Sequence, residues 1–184
     1  MLVILDRDGV INKDSSEYIV SANEWDPIEG SIEAIARLCR QGYKIAIATN
    51  QSGVGRGYFS LTELNKMHDK MCQLVTQAGG SIAFIAYCPH LPDDNCTCRK
   101  PLTGLLEQIQ EAMADSFKNV YMVGDSLKDL QAATAMGIKA ALVETGNGLT
   151  TLTQLKAAGL EHVPVYKNLS GFVDDIINTE HPMS

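Results

Sequence analysis

Short, nearly continuous apolar segments recur along this chain, each followed by a polar cluster and then by residues of helical periodicity. Leu2–Leu5, Tyr43–Thr49, Ser81–Tyr87, Asn119–Val123 and Ile138–Val143 read as strands, with Val163–Tyr166 a short sixth. Within Ser31–Gln41, Ile32, Ile35, Ala36, Leu38 and Cys39 fall at helical spacing, and Gly42 is placed to end the helix. Ser60 and Glu63 have the spacing of a capping box opening a helix whose apolar stripe runs from Leu61 to Ala78. Leu105, Leu106, Ile109 and Met113 mark a further helix, as do Leu127, Leu130, Ala133 and Thr134. The last dozen residues read as frayed, and the tail from about 179 to 184 as disordered. Strands apolar on both faces, alternating with helices, predict a parallel sheet covered by helices on both sides. No internal repeat or linker interrupts the pattern, so residues 1–184 are expected to form one domain.

In such a sheet, ligands bind beyond the carboxyl ends of the strands. Asp6-Arg7-Asp8-Gly9 follows the first strand and Thr49-Asn50-Gln51-Ser52 the second. The loop after the third ends in Arg99-Lys100-Pro101, and Gly124-Asp125-Ser126-Leu127-Lys128-Asp129 follows the fourth. One D-x-D-G is weak evidence, since a turn with an Asp cap gives the same letters. Polar clusters at four strand ends, all projecting to one edge, are much harder to explain as turns.

These groups suit phosphoryl transfer. Asp6, Asp8 and Asp125 at one edge would repel unless a cation sat between them, and oxygen ligands around a hard dication are the Mg²⁺ pattern. One carboxylate can then attack phosphorus to give an aspartyl-phosphate. The second, two residues on, can serve as acid to the leaving oxygen and later as base for water. The Thr49 hydroxyl and Lys100 ammonium can hold the phosphoryl oxygens. Arg99 beside Lys100 suits a bisphosphate, with its guanidinium gripping the distant phosphate; a solvated loop arginine is the alternative. Arg56 is either a further phosphate contact or a solvent-facing residue of a glycine-rich loop.

Three of the five cysteines fall within eleven residues, as C-x-H-x5-C-x-C. Cys88, His90, Cys96 and Cys98 match a tetrahedral structural zinc site in ligand type and number, around the turn-rich Leu91–Asn95. With four protein ligands no position stays open, so the ion would be structural and would fix the loop delivering Arg99 and Lys100. Cys39 and Cys72 read as buried, inert thiols, and His68 and His162 as non-ligands; His181 belongs to the tail.

A formal charge of −7, from 15 Lys and Arg against 22 Asp and Glu, argues against a nucleic-acid partner, which needs clustered basic residues. No apolar run is long enough to span a membrane and no secretion signal opens the chain, so a cytoplasmic monomer is expected.

The four clusters together resemble the haloacid dehalogenase (HAD) superfamily of phosphotransferases, over nearly the whole chain. The resemblance implies a HAD-like Rossmannoid three-layer sandwich with a mainly parallel central sheet. It assigns Asp6 as nucleophile, Asp8 as acid/base, Thr49 and Lys100 to the phosphoryl group, and Asp6, Asp125 and the Asp8 backbone carbonyl to Mg²⁺. Asp129 is placed like the family's second acidic residue, either a direct ligand or a carboxylate one step behind the metal. No long insertion follows the first cluster or separates the second from the third, which leaves no room for a cap domain. The zinc loop is similar to that of the capless branch holding heptose-bisphosphate phosphatases and histidinol-phosphate phosphatases. Asp6–Asn12, Asp14, Tyr18, Thr49–Gly57 and Cys98–Pro101 favour the heptose group. That resemblance implies substrate contacts at Asp14–Tyr18, Thr49, Asn50, Gln51, Ser52, Arg99 and Lys100, a small phosphorylated sugar as substrate, and a place in making nucleotide-activated heptose for lipopolysaccharide. Histidinol-phosphate phosphatase is the alternative; a polynucleotide 3′-phosphatase or a non-catalytic zinc-stabilised binding module fit less well.

Overall fold

A computed structural model describes residues 1–114 and 119–180. Within these residues, six strands form one sheet in which every neighbouring pair is parallel: β1 (Leu2–Leu5), β2 (Lys44–Asn50), β3 (Phe84–Cys88), β4 (Val120–Gly124), β5 (Lys139–Val143) and β6 (Val165–Tyr166). The order β3-β2-β1-β4-β5-β6 reverses direction at β1. The crevice where a ligand is expected therefore opens between the carboxyl ends of β1 and β4.

Among the described residues, seven helices connect or follow the strands: α1 (Ser31–Arg40), α2 (Ser52–Gly55), α3 (Leu61–Gln77), α4 (Gly104–Met113), α5 (Leu127–Ala135), α6 (Gly148–Leu152) and α7 (Leu169–Glu180). Strand residues alternate between two cores, as a pleated backbone requires. Val3, Leu5, Ile45 and Ile47 meet α1, α3 and α7 through Ile35, Leu38, Met67, Met71, Phe172 and Val173. Leu2, Ile4, Ala46 and Ala48 meet α4 and α5 through Leu105, Leu106, Ile109, Ala132 and Ala133. Leu38 has no exposed surface, so truncation to alanine should cost about 2–5 kcal/mol.

The predicted three-layer parallel architecture is present, with several local corrections. The frayed end is in fact α7, whose Leu169, Phe172, Val173 and Ile176 form a buried stripe. The expected disorder at 179 and 180 is likewise replaced by helix, while 181–184, with His181, lie outside the described residues. β3 starts at Phe84 rather than Ser81, whose backbone instead bonds the Cys39 thiol. β6 shrinks to two residues because Pro164 has no N–H to donate to a ladder. Only half of the capping box forms: Ser60 accepts from the Glu63 N–H at 3.1 Å, while the Glu63 carboxylate caps the Ala22 N–H. Cys39 and Cys72 are half-buried rather than buried.

Candidate active site

β1 and β4 run in register, and the Asp6 N–H donates to the Val123 carbonyl at 2.9 Å. Asp6 and Asp125 thus leave adjacent strands at the point where the strand order reverses. Gly9 makes their approach possible: it holds φ +81°, and a Cβ there would stand 2.2 Å from Asp125 Oδ2. Asp6, Asp125 and Asp129 bring carboxylate oxygens within 4.8 Å of one another, and all three are at most 9% exposed.

Burial, and then the charge of Asp129, push the Asp6 carboxyl well above its ordinary pKa. The same two causes push Asp125 up to about 6. Lys100 supplies the counter-charge. It is 2% exposed, and Nζ donates to Asp129 Oδ1 at 2.5 Å, to the Ala48 carbonyl at 2.6 Å and to Asp6 Oδ1 at 3.0 Å. Burial alone would lower its pKa, but Asp129 and Asp6 outweigh it and keep it charged. Three carboxylates against one ammonium leave an excess of buried negative charge, held by hard oxygen donors. That donor set fits Mg²⁺. Asp129 stands behind the other two, because Ser126 N and Oγ occupy its Oδ2 at 3.1 and 2.8 Å.

Asp8 sits apart from this cluster. Arg7, Asn12 and Gln51 donate to its carboxylate. Burial raises its pKa, but the Arg7 charge and these hydrogen bonds together bring it below the ordinary carboxylate value. The Gln51 amide also donates to Thr49 Oγ1 at 2.9 Å, tying the end of β2 to Asp8. Ser52 lies beside it, buried at the start of α2.

The thiols and imidazole of the third loop converge. Cys88 Sγ lies 3.6 Å from Cys96 Sγ and 3.5 Å from His90 Nδ1, which is 3.3 Å from Cys98 Sγ. The edges of a zinc tetrahedron measure about 3.8 Å between sulfurs and about 3.6 Å from sulfur to nitrogen, given ordinary bond lengths. The donor set therefore fits zinc in kind and in spacing. The loop is fastened to the end of β2: Gln51 N donates to Cys88 O at 2.7 Å, and Asn50 both donates to Lys100 O and accepts from Lys100 N at 3.0 Å.

Asp6, Asp8, Asp14, Tyr18, Thr49, Asn50, Gln51, Ser52, Arg99, Lys100 and Asp125 all line one cavity of about 350 Å³. Asp14 accepts from Asn147 Nδ2 at 3.2 Å. Tyr18 packs edge-on against Tyr58, and its hydroxyl is held below the usual phenol pKa, chiefly by a hydrogen bond with Ser52 and then by Arg56. Arg56 is exposed and does not line the cavity, whereas Arg99 does, with Nη1 3.4 Å from the His90 carbonyl. His68 is buried and neutral, its pKa pushed down to about 4 first by burial.

Six lining residues carry no assigned role in the sequence pattern: Arg7, Ile19, Phe59, Ser126, Lys128 and Asn147. Asn147 donates its N–H to Asp125 Oδ2 at 2.7 Å. It follows the fifth strand, so the rule applied to the first four strand ends would have reached it.

A HAD-hydrolase-like family model matches residues 97–171. A D-glycero-beta-D-manno-heptose-1,7-bisphosphate 7-phosphatase of Neisseria meningitidis serogroup A is 50% identical over 93% of this chain and 91% of its own. One of the same name from Pseudomonas aeruginosa is 52% identical over 82% of this chain and 85% of its own. The crystal structure of D,D-heptose 1,7-bisphosphate phosphatase from B. bronchiseptica, complexed with magnesium and phosphate, superposes with a TM-score of 0.92 at 45% identity, covering 97% of this chain and 98% of that one. Sequence, fold and the clustered carboxylates agree, and the chain belongs to the D-glycero-beta-D-manno-heptose-1,7-bisphosphate 7-phosphatase family of HAD-like hydrolases.

Proposed function

We propose that this chain is a Mg²⁺-dependent phosphatase that removes the 7-phosphate of D-glycero-D-manno-heptose 1,7-bisphosphate. The carrying observation is that Asp6, with Lys100 at its side, and Asp8, held apart from it, line the same cavity as Thr49. Asp6 and Asp125, with the Asp8 backbone carbonyl, would hold Mg²⁺, which supplies charge neutralisation for the phosphoryl oxygens. Asp129 then serves from behind by holding Lys100.

In the first step an Asp6 oxygen bonds to phosphorus as the bond from phosphorus to the sugar oxygen breaks. The departing oxygen takes the electron pair and a proton from Asp8, which must hold that proton in the substrate complex although the free site favours its carboxylate. In the second step water attacks phosphorus and gives a proton to Asp8, while the bond between Asp6 and phosphorus breaks and restores the carboxylate. Thr49 Oγ1 and Lys100 Nζ grip the phosphoryl oxygens; for this Lys100 must share a proton now given to Asp6 or Ala48. Asp14, Tyr18, Asn50, Gln51, Ser52 and Arg99 form the sugar side, with Arg99 on the distant phosphate. Cys88, His90, Cys96 and Cys98 would hold a structural zinc.

The name shared by the relatives specifies the β anomer, which supports the same preference here. Among the described residues no helix is long and apolar enough to cross a membrane. The net charge of −7 supports a small-molecule substrate rather than nucleic acid. The deciding measurement is kcat/KM for the α and β heptose bisphosphates, histidinol phosphate and fructose bisphosphate. The β heptose compound should lead; preference for histidinol phosphate would overturn the substrate.

A further inference from the structure

Arg7 has no part in the chemistry above, yet it is 1% exposed and lies between the two reacting carboxylates. Burying a guanidinium is costly unless it is well paired. Its Nε and Nη2 meet Asp8 Oδ1 at 3.2 and 2.9 Å, and Nη2 also meets Oδ2 at 3.0 Å. Asn12 Nδ2 reaches Oδ1 at 2.9 Å and Gln51 Nε2 reaches Oδ2 at 2.7 Å. A planar donor fork fixes the direction of a carboxylate as well as its place, which a point charge such as lysine does not.

Stability is a poor reason for this pair. Nη1 is buried with no partner among the described residues, and an unsatisfied buried donor costs about 1–3 kcal/mol. An apolar side chain opposite a neutral residue 8 would serve the core at least as well. The Arg7 backbone makes its own bonds regardless of side chain: N donates to Asp6 Oδ1 at 2.7 Å, and O accepts from Ile11 N at 2.8 Å. The guanidinium is spent on Asp8.

We propose that Arg7 is a positioning residue for catalysis: its fork aims the Asp8 carboxyl along the bond between phosphorus and the leaving oxygen. It rests on the reading of Asp8 as acid and base. A sugar alkoxide is a poor leaving group and needs the proton that Asp8 delivers, whereas p-nitrophenolate departs without one. Loss of aim therefore harms one substrate more than the other, whereas general damage to the site harms both.

The test uses Arg7→Met, Arg7→Lys, Asp8→Asn and the Arg7→Met/Asp8→Asn double variant, with heptose bisphosphate and p-nitrophenyl phosphate. Arg7→Met should lower kcat for the heptose bisphosphate about 10²-fold, the scale of a lost acid/base contribution, with little change in KM. First-turnover release of p-nitrophenolate should change less than about threefold. Arg7→Lys keeps the buried charge without the fork and should not restore the wild-type rate; it also carries the comparison if Arg7→Met fails to fold. In the Asp8→Asn background, Arg7→Met should cost nothing more, as expected when one residue acts through the other. Equal losses on both substrates, full activity in Arg7→Lys, or an added loss in the double variant would overturn the role of Arg7. An Asp8→Asn enzyme with unimpaired kcat on the heptose bisphosphate would instead overturn the role of Asp8, independently of Arg7.

Discussion

Among the described residues, two clusters of metal-ligating side chains come together, and they are built in opposite ways. The thiolate cluster comes from one loop, Cys88 to Cys98, and its four donors already stand near tetrahedral spacing. The carboxylate cluster is assembled from Asp6, Asp125 and Asp129, brought together only because β1 and β4 are neighbours. The first is closed and local; the second keeps an open face toward the cavity and depends on the whole sheet. A structural ion needs the one, and a substrate needs the other.

The largest expected effect lies on the carboxylate side. Asp6→Asn removes the proposed nucleophile and should lower turnover by about 10⁴-fold or more. Zinc content and folding should survive, since the thiolate loop does not depend on that carboxylate; substantial residual turnover would remove Asp6 from its role.

Removing zinc strikes the other cluster. Chelation should loosen the loop, displace Lys100 and Arg99, lower the melting temperature and reduce kcat by about 10²-fold, the cost of an ångström-scale misplacement. Unchanged melting and activity after verified zinc loss would break the link between the clusters. Burial, then a hydrogen bond with Cys98, pushes the metal-free Cys88 thiol up to about 12, so zinc must expel its proton and bind more weakly as pH falls.

Arg99→Ala should raise KM for the heptose bisphosphate by about tenfold, worth about 1.4 kcal/mol, while leaving KM for a monophosphate nearly unchanged. Equal increases would show that Arg99 serves the loop rather than the distant phosphate.

The smallest effect sharpens the electrostatic contrast. Asp125 titrates at about 6 in the fold against an ordinary 3.8, so the folded protein holds this proton more tightly than the unfolded chain. Its contribution to stability is full below about pH 4 and is lost as pH rises through about 6. A Mg²⁺ ion held by Asp125 would take the place of that proton. The rise in melting temperature on adding Mg²⁺ should therefore be slight at pH 4.5 and larger at pH 7; the reverse order would contradict a cation held by these carboxylates.

The thiolate loop was legible because its ligands are close in sequence and need no tertiary knowledge. The carboxylate cluster was legible only through a rule of topology, that parallel strands present their carboxyl ends to one edge. The same rule extends to β5, beyond whose carboxyl end Asn147 reaches Asp125. Arg7 falls outside it: a charged residue between two aspartates reads as solvated, and nothing local reveals its complete burial. Asp129 could be placed but not resolved between ligand and supporting carboxylate, because that depends on Lys100 and Ser126 reaching it. α7 was overlooked because Asp174, Asp175 and Asn178 dilute an apolar stripe that only its partner α1 makes obvious.

Thr49, Asn50 and Gln51 are successive residues with three different obligations. Thr49 faces the cavity, Asn50 holds the backbone of Lys100, and Gln51 spans Thr49 and Asp8 while its N–H ties down Cys88. A change at any of them disturbs chemistry, loop and acid/base together, so this stretch has little freedom to vary. The exposed rim, with Asp14 and Lys128, carries fewer such ties. New substrate preferences would then be acquired most easily at the rim, over a floor that mutation can seldom touch without loss of activity.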